Sequence, residues 1–257
     1  MGFSDLAHTS MNNSHDDSSV RGDSCTSESP HTRDDSCYTS RTNGSCDDSH
    51  TLGKLPRTIE IAKDGTWVRI IDQTKLPYEL SSITITQWER MVEAIQRLEI
   101  RGAPALGVAG ASALCLFATN QSTAVDISSF LDDLSRISKS VATARPTAVN
   151  LSWGVRRAYK AALDASSLPT AEVKSLTQAL IQEAHAICEE DERSCRLIGA
   201  NGASLFTEPS TVLTHCNAGS LATAYYGTAL GVIYSAFEQG KITRVFADET
   251  RPVGQGA

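Results

Sequence analysis

The stretch Thr211-Val212-Leu213-Thr214-His215-Cys216-Asn217-Ala218-Gly219 decides the fold, because it joins a strand signal to a turn signal at a thiol. TVLTHC (211–216) is apolar and β-branched and reads as a buried strand. LATAYYGTALGVIYSAFEQG (221–240) has helical length and composition, with Gly240 as a C-terminal stop. KITRVFADET (241–250) reads as a second strand. Strand, Gly-containing turn, helix and strand make a βαβ unit. Ligands of open α/β sheets sit beyond the carboxyl ends of the strands. Cys216 and Asp248 close the two strands and are expected to face that crevice. A buried structural cysteine is the competing reading, since cysteine is among the most buried residue types.

Outward from this unit, the chain divides by composition. Of 257 residues 40% are hydrophobic, ample for a core, and the net charge is −7. Residues 1–52 hold nine acids against three arginines, a net −6. That leaves 53–257 near neutrality, with no basic excess for nucleic acid. The segment 1–52 is rich in Ser, Asp, Thr and Asn and is read as a disordered acidic tail, either passive or a site of serine phosphorylation. Its repeated Asp-Ser-Cys (23–25, 35–37) is low complexity rather than a structural repeat.

No apolar run is long enough to span a membrane. The start MGFSDLAHTSMNN lacks a secretory layout, its acids argue against a mitochondrial transit peptide, and Leu6 breaks the myristoylation pattern. The expected compartment is the cytoplasm, with the nucleus as an alternative. Seven cysteines without a signal sequence fit reduced thiols, and no metal-ligand spacing occurs, so no metal is expected.

Residues 57–72 carry two β-prone runs around Asp64-Gly65, a hairpin signal. Thr86 and Glu89 have the spacing of a capping box, and Trp88, Met91, Val92, Ile95 and Leu98 then mark one helical face. Further helices are expected over 104–119, about 127–143, 147–163 and about 171–197. The predicted organisation is a mainly helical N-terminal domain (53–205), with a boundary at 203–209, followed by the βαβ unit (206–257).

Two junctions look suited to an anion. In Arg101-Gly102-Ala103-Pro104, Pro104 fits a helix first turn and Gly102 permits close backbone approach. The helix N-terminus beside the Arg101 guanidinium would suit a phosphate, unless this is an ordinary turn with a solvated arginine. Arg145 precedes Pro146, so a helix must end there and present a cation. Complementing the helix dipole is its plainer role.

Taken together, IRGAPALGVAGA (100–111), ARPTAVNLSWGV (144–155), LTHCNAGSLATAYYGTALGVI (213–233), VFADETRPVGQGA (245–257) and, more weakly, DQTKLP (72–77) resemble the methylthioribose-1-phosphate isomerases of methionine salvage. The blocks fall in that family's order and cover the chain from about Gly53 onward. The resemblance implies an α/β fold: a helical N-terminal domain with a β-hairpin, then an incomplete Rossmann-like parallel-sheet domain. It implies conversion of 5-methylthioribose 1-phosphate to its ketose, with no organic cofactor or metal. The partner would be a small sugar phosphate, and the full-length family is expected to be a homodimer. Residue by residue, it assigns substrate binding to Arg101, Gly102, Ala103, Arg145 and Gln255, and catalysis to Cys216.

The chemistry has a reason for such a site. Phosphate on the anomeric oxygen makes ring opening hard, so the ring oxygen needs a proton. Hydrogen must then move from C2 to C1, through an enolate-like species or as a hydride. Either route develops charge best stabilised away from water. A thiol or thiolate at a strand end could shuttle a proton or stabilise that charge. His215 is read as structural, because alternation along a strand turns it away from its neighbour.

The resemblance places the proton-donating aspartate in a Gly-Ala-Asp-like segment beyond Ala257, and Asp248 is not its counterpart. A partial gene product or isoform, with uncovered sheet faces and no isomerase activity, is therefore expected. Two rivals remain: a ribose-1,5-bisphosphate isomerase, and a non-catalytic regulatory subunit of the translation-initiation exchange complex. Retention of both Arg-Gly-Ala-Pro and Cys-Asn-Ala-Gly weighs against the latter.

Overall fold

The computed structural model describes residues 55–121, 125–250 and 254. The reading of 1–52 as a disordered tail, and Gln255, lie outside the described residues.

The hairpin forms as the Asp64-Gly65 signal requires. Strand β1 (Ile59–Ile61) pairs antiparallel with β2 (Val68–Ile71), and Gly65 takes a left-handed φ of 74°. The Asp64 carboxylate accepts from the Thr66 N–H and hydroxyl, closing the turn. A third strand, β3 (Ser82–Ile85), joins the other side of β2. It was not anticipated, since four residues carry too little periodicity.

Helix α1 (Trp88–Gln96) buries Met91 and Ile95 as its spacing predicts. The capping box does not form. Gln87 is the N-cap, without a side-chain cap bond, and the Thr86 carbonyl instead accepts from the Asn120 side chain at 2.8 Å. A tertiary donor has taken over the end of the strand.

Helix α2 (Ala103–Thr119) is the core of the molecule. It contains no charged residue, and every residue from Ala105 to Ala118 is buried. A helix apolar all round must be enclosed on all sides. α1, α3 (Ile127–Ala142), α4 (Val149–Ser166), α5 (Val173–Ala203) and the hairpin sheet pack around it. Gly154 of α4 meets the backbone of Gly107 so closely that a Cβ would lie 2.1 Å from the Gly107 carbonyl oxygen.

α5 continues six residues past its expected end at 197. Its last turns carry Gly199 and Gly202, which give α6 (Ala229–Glu238) a place to pack. A Cβ on Gly202 would lie 2.4 Å from a Val232 methyl. Packing outweighs local propensity here.

Strand β4 (Ser210–His215) runs parallel to β5 (Ile242–Asp248), joined through α6, as the βαβ reading requires. The helix starts later than residue 221, however. A single 3₁₀ turn (Ser220–Ala222) and an irregular passage come first, with Tyr226 and Gly227 at φ of 80° and 88°. Gly219 bridges Gly227, which closes a loop no helix could contain. Gly240, at φ 69°, ends α6 as expected, its N–H bonded to the Phe237 carbonyl at 2.8 Å. Leu213, Val245 and Phe246 of this two-stranded sheet remain exposed. Among the described residues no helix is long and apolar enough to cross a membrane.

The hairpin tip is wedged against the helices: a Cβ on Gly65 would lie 2.5 Å from the Cys115 sulfur and 2.7 Å from Ile181. Gly65→Ala is expected to destabilise the protein by about 1–3 kcal/mol through overpacking and left-handed strain. Thermal unfolding checks this, and an unchanged midpoint would show that the tip is not packed as described.

Candidate functional site

The site grows from the segment that carries β4 into α6. Cys216 follows β4 directly, with φ of 60° and its N–H bonded to the Asp248 carbonyl at 3.3 Å. A left-handed conformation at a non-glycine residue costs energy and clusters at functional positions. It turns the chain sharply out of the strand. The Asn217 side chain accepts from the Gly219 N–H at 2.9 Å, and the Ala218 carbonyl accepts from the Thr228 N–H at 2.9 Å. These bonds tie the strand end to the start of α6.

The following residues are held from three directions. The Thr58 hydroxyl of the hairpin donates to the Ser220 carbonyl at 2.5 Å, and its N–H to the Ala224 carbonyl at 3.2 Å. The Gln73 amide donates to the Leu221 carbonyl at 2.8 Å. From α5, the Asp191 carboxylate accepts from the Ala224 N–H at 2.7 Å. Burial raises the pKa of Asp191, and the Ala224 bond opposes that shift.

Arg101 and Gly102 lie directly against this segment. Gly102 is the N-cap of α2, and a Cβ there would fall 2.1 Å from the Ala222 Cα. The close approach that glycine allows is thus made to protein backbone. Ala103 and Pro104 open the helix as expected. The chain before them is fixed by Glu99, a buried carboxylate bonded to Arg90 at 2.6 Å, whose carbonyl also accepts from the Gln73 N–H.

The Arg101 guanidinium donates to the Gly254 carbonyl at 2.8 Å and to the Gln73 side chain at 3.3 Å. Arg145, in the turn between α3 and α4, reaches the Arg101 carbonyl at 3.4 Å. Arg101, Gly102 and Arg145 therefore converge at the N-terminus of α2. A cavity of about 250 Å³ beside them is lined by Gln73, Arg97, Arg101 and Gly254, while neither Cys216 nor Arg145 lines it. Cys216 opens the loop whose Ala222 packs on Gly102.

His215 is exposed, and its Nδ1 lies 3.4 Å from the Asp248 carboxylate. The residues that sequence reasoning missed are those holding the loop: Thr58, Gln73 and Asp191. Gln73 lay within the DQTKLP block, and a polar residue there was the available signal. Thr58 immediately precedes β1 and Asp191 is an ordinary member of α5, and nothing local marks them. Among the described residues no group of three or more His, Cys, Asp or Glu side chains is arranged to hold a metal ion.

The geometry defines an α/β protein in which two arginines meet at a helix N-terminus against which the loop following a parallel strand is packed. Residues 99–257 match the Initiation factor 2 subunit family, and the chain belongs to that family. It is 49% identical over 195 residues to a 5-deoxyribose 1-phosphate isomerase of Moorella thermoacetica, covering 76% of this chain and 54% of that protein. It is 46% identical over 190 residues to a methylthioribose-1-phosphate isomerase of Desulforamulus reducens, covering 74% and 54%.

Among solved structures, the 5-methylthioribose 1-phosphate isomerase of Pyrococcus horikoshii superposes with a TM-score of 0.72 at 36% identity, over 80% of this chain and 55% of that one. The A. fulgidus translation initiation factor eIF-2B, subunit delta, superposes with a TM-score of 0.70 at 42% identity, over 79% and 57%. The chain spans a little over half the length of these proteins.

Two outcomes test this geometry. Gly102→Ala is expected to displace the Ser220–Ala222 turn, because backbone atoms cannot yield as a flexible side chain does. Amide shifts confined to residues 218–228 and the start of α2 would show it, and an unperturbed loop would refute the contact. Burial pushes the thiols of Cys115 up to about 12 and of Cys188 and Cys195 to about 11. Alkylation requires the thiolate, so at about pH 8 these three should react at least about a hundredfold more slowly than in the unfolded chain. Peptide mass spectrometry after timed labelling reads this, and equal rates in both states would contradict the burial.

Proposed function

We propose that the chain carries the substrate-anchoring part of an aldose–ketose isomerase acting on a 5-substituted ribose 1-phosphate, with 5-methylthioribose 1-phosphate as the substrate. The observation that supports this best is the convergence of Arg101, Arg145 and the α2 N-terminus with the loop that follows Cys216. A phosphate dianion suits such a place, because guanidinium forks and helix N–H groups supply charge-assisted bonds. The names of the isomerase relatives give the sugar class.

In this reading the Arg101 and Arg145 guanidiniums and the Gly102–Ala103 backbone hold the 1-phosphate, and the Gln255 amide contacts the sugar. Fixing the phosphate orients C1 and C2 toward the strand end. Cys216 then acts there as a proton shuttle or as a stabiliser of developing charge. An enolate-like route would exchange the C2 hydrogen with water, and a hydride route would retain it. The left-handed turn at Cys216 is consistent with a thiol presented at the strand end rather than one packed along it.

The regulatory-subunit reading draws its support from the A. fulgidus likeness, and ligand binding separates the two. Methylthioribose 1-phosphate is expected to raise the unfolding temperature by mass action, and nucleoside phosphates are not. Arg101→Gln should weaken sugar-phosphate binding by about ten- to a hundredfold, while Cys216→Ala should leave binding nearly intact. Stabilisation by nucleotides alone would transfer the site to the regulatory reading. No response to any sugar 1-phosphate would remove the isomerase proposal.

A further inference from the structure

A second basic cavity lies on the hairpin side of the same loop. It has a volume of about 600 Å³, within the roughly 300–1,000 Å³ typical of small-ligand sites. Arg57, Arg69, Arg196, Tyr225, Ser81 and Ile71 line it. Two guanidiniums lie against the Tyr225 ring, with Arg57 at 4.6 Å and Arg196 at 5.3 Å from its centroid, and Arg196 also lies 5.0 Å from the centroid of Tyr226. Such stacking fixes the guanidinium planes and leaves N–H edges for in-plane acceptors.

Charge bookkeeping around the cavity leaves an excess of cation. Arg57 and Arg196 share one carboxylate, Glu192, at 2.8 and 3.1 Å. Arg69 pairs with Glu60. Three guanidiniums thus face two carboxylates, in a chain whose net charge is −7. Surface ion pairing alone does not need an aromatic ring set against both guanidiniums.

We infer that this cavity binds the phosphate group of a small organic phosphate, held by Arg69 and Arg196, with its organic part against Ile71 and Tyr225. The site is distinct from the Arg101 cavity, and no residue lines both. It does not rest on the isomerase reading. The two lie on one structural line, because Tyr225 follows Ala224, and Thr58, next to Arg57, holds both Ser220 and Ala224. A ligand stacked on Tyr225 therefore bears on the same segment that packs on Gly102.

Amide shifts in the full chain test this, with inorganic phosphate and phenyl phosphate as probes and sodium chloride at matched ionic strength as control. The amides of Ser81, Ser82 and Tyr225 should shift saturably with both probes, and at lower concentration with phenyl phosphate. Arg69→Gln combined with Arg196→Gln should raise the apparent Kd by about tenfold or more. Arg101→Gln should leave these shifts unchanged, which separates this site from the proposed substrate site. If the double variant does not fold, Arg69→Gln alone carries the test, because that side chain is nearly half exposed. Shifts no larger than with chloride, shifts that never saturate, or shifts that survive the folded variant would overturn the inference.

Discussion

The contact between Gly102 and the Ala222 backbone is the constraint on which the arrangement around α2 depends. The missing Cβ lets the N-terminus of a buried helix and a loop from the parallel sheet occupy nearly the same space. Everything that defines the candidate site lies within reach of that contact. Arg101 precedes it, Arg145 reaches back to the Arg101 carbonyl, and the chain from Cys216 runs into it. A glycine is often explained by its dihedral freedom, but Gly102 has an ordinary extended φ of −68°. Its value is the absence of a side chain.

A contact so close is useful only if both partners are held, and the loop is held by three polar side chains. Thr58, Gln73 and Asp191 come from the approach to a strand, a turn and a helix distant in sequence. Thr58 and Gln73 are buried, and burying polar groups is costly unless they are bonded. Here each satisfies a backbone group of a segment that has no regular structure to satisfy it. The loop is thereby irregular in conformation but specified in position.

Legibility in the sequence followed the range of the forces involved. The Asp64-Gly65 turn, the apolar face of α1, the span of α2 and the stop at Gly240 were readable because each is set by residues within a few positions of one another. The strand–helix–strand order was readable for the same reason. The failures mark places where a distant partner prevailed. Val232 fills the space that lets α5 run through Gly202. The start of α6 was misplaced because the Gly219–Gly227 bridge closes a loop inside a stretch of helical composition.

Sequence alone determined which chemical groups are available and their local setting: a thiol at a strand end, one arginine before a helix and another before a proline. Those are consequences of backbone preference over a few residues. Only the tertiary structure decided that the two arginines meet, that Gly102 serves a backbone contact, and that Gln73 and Asp191 position the loop. Such pairings join residues far apart in the chain. They depend on how helices and strands close-pack, which no local pattern encodes.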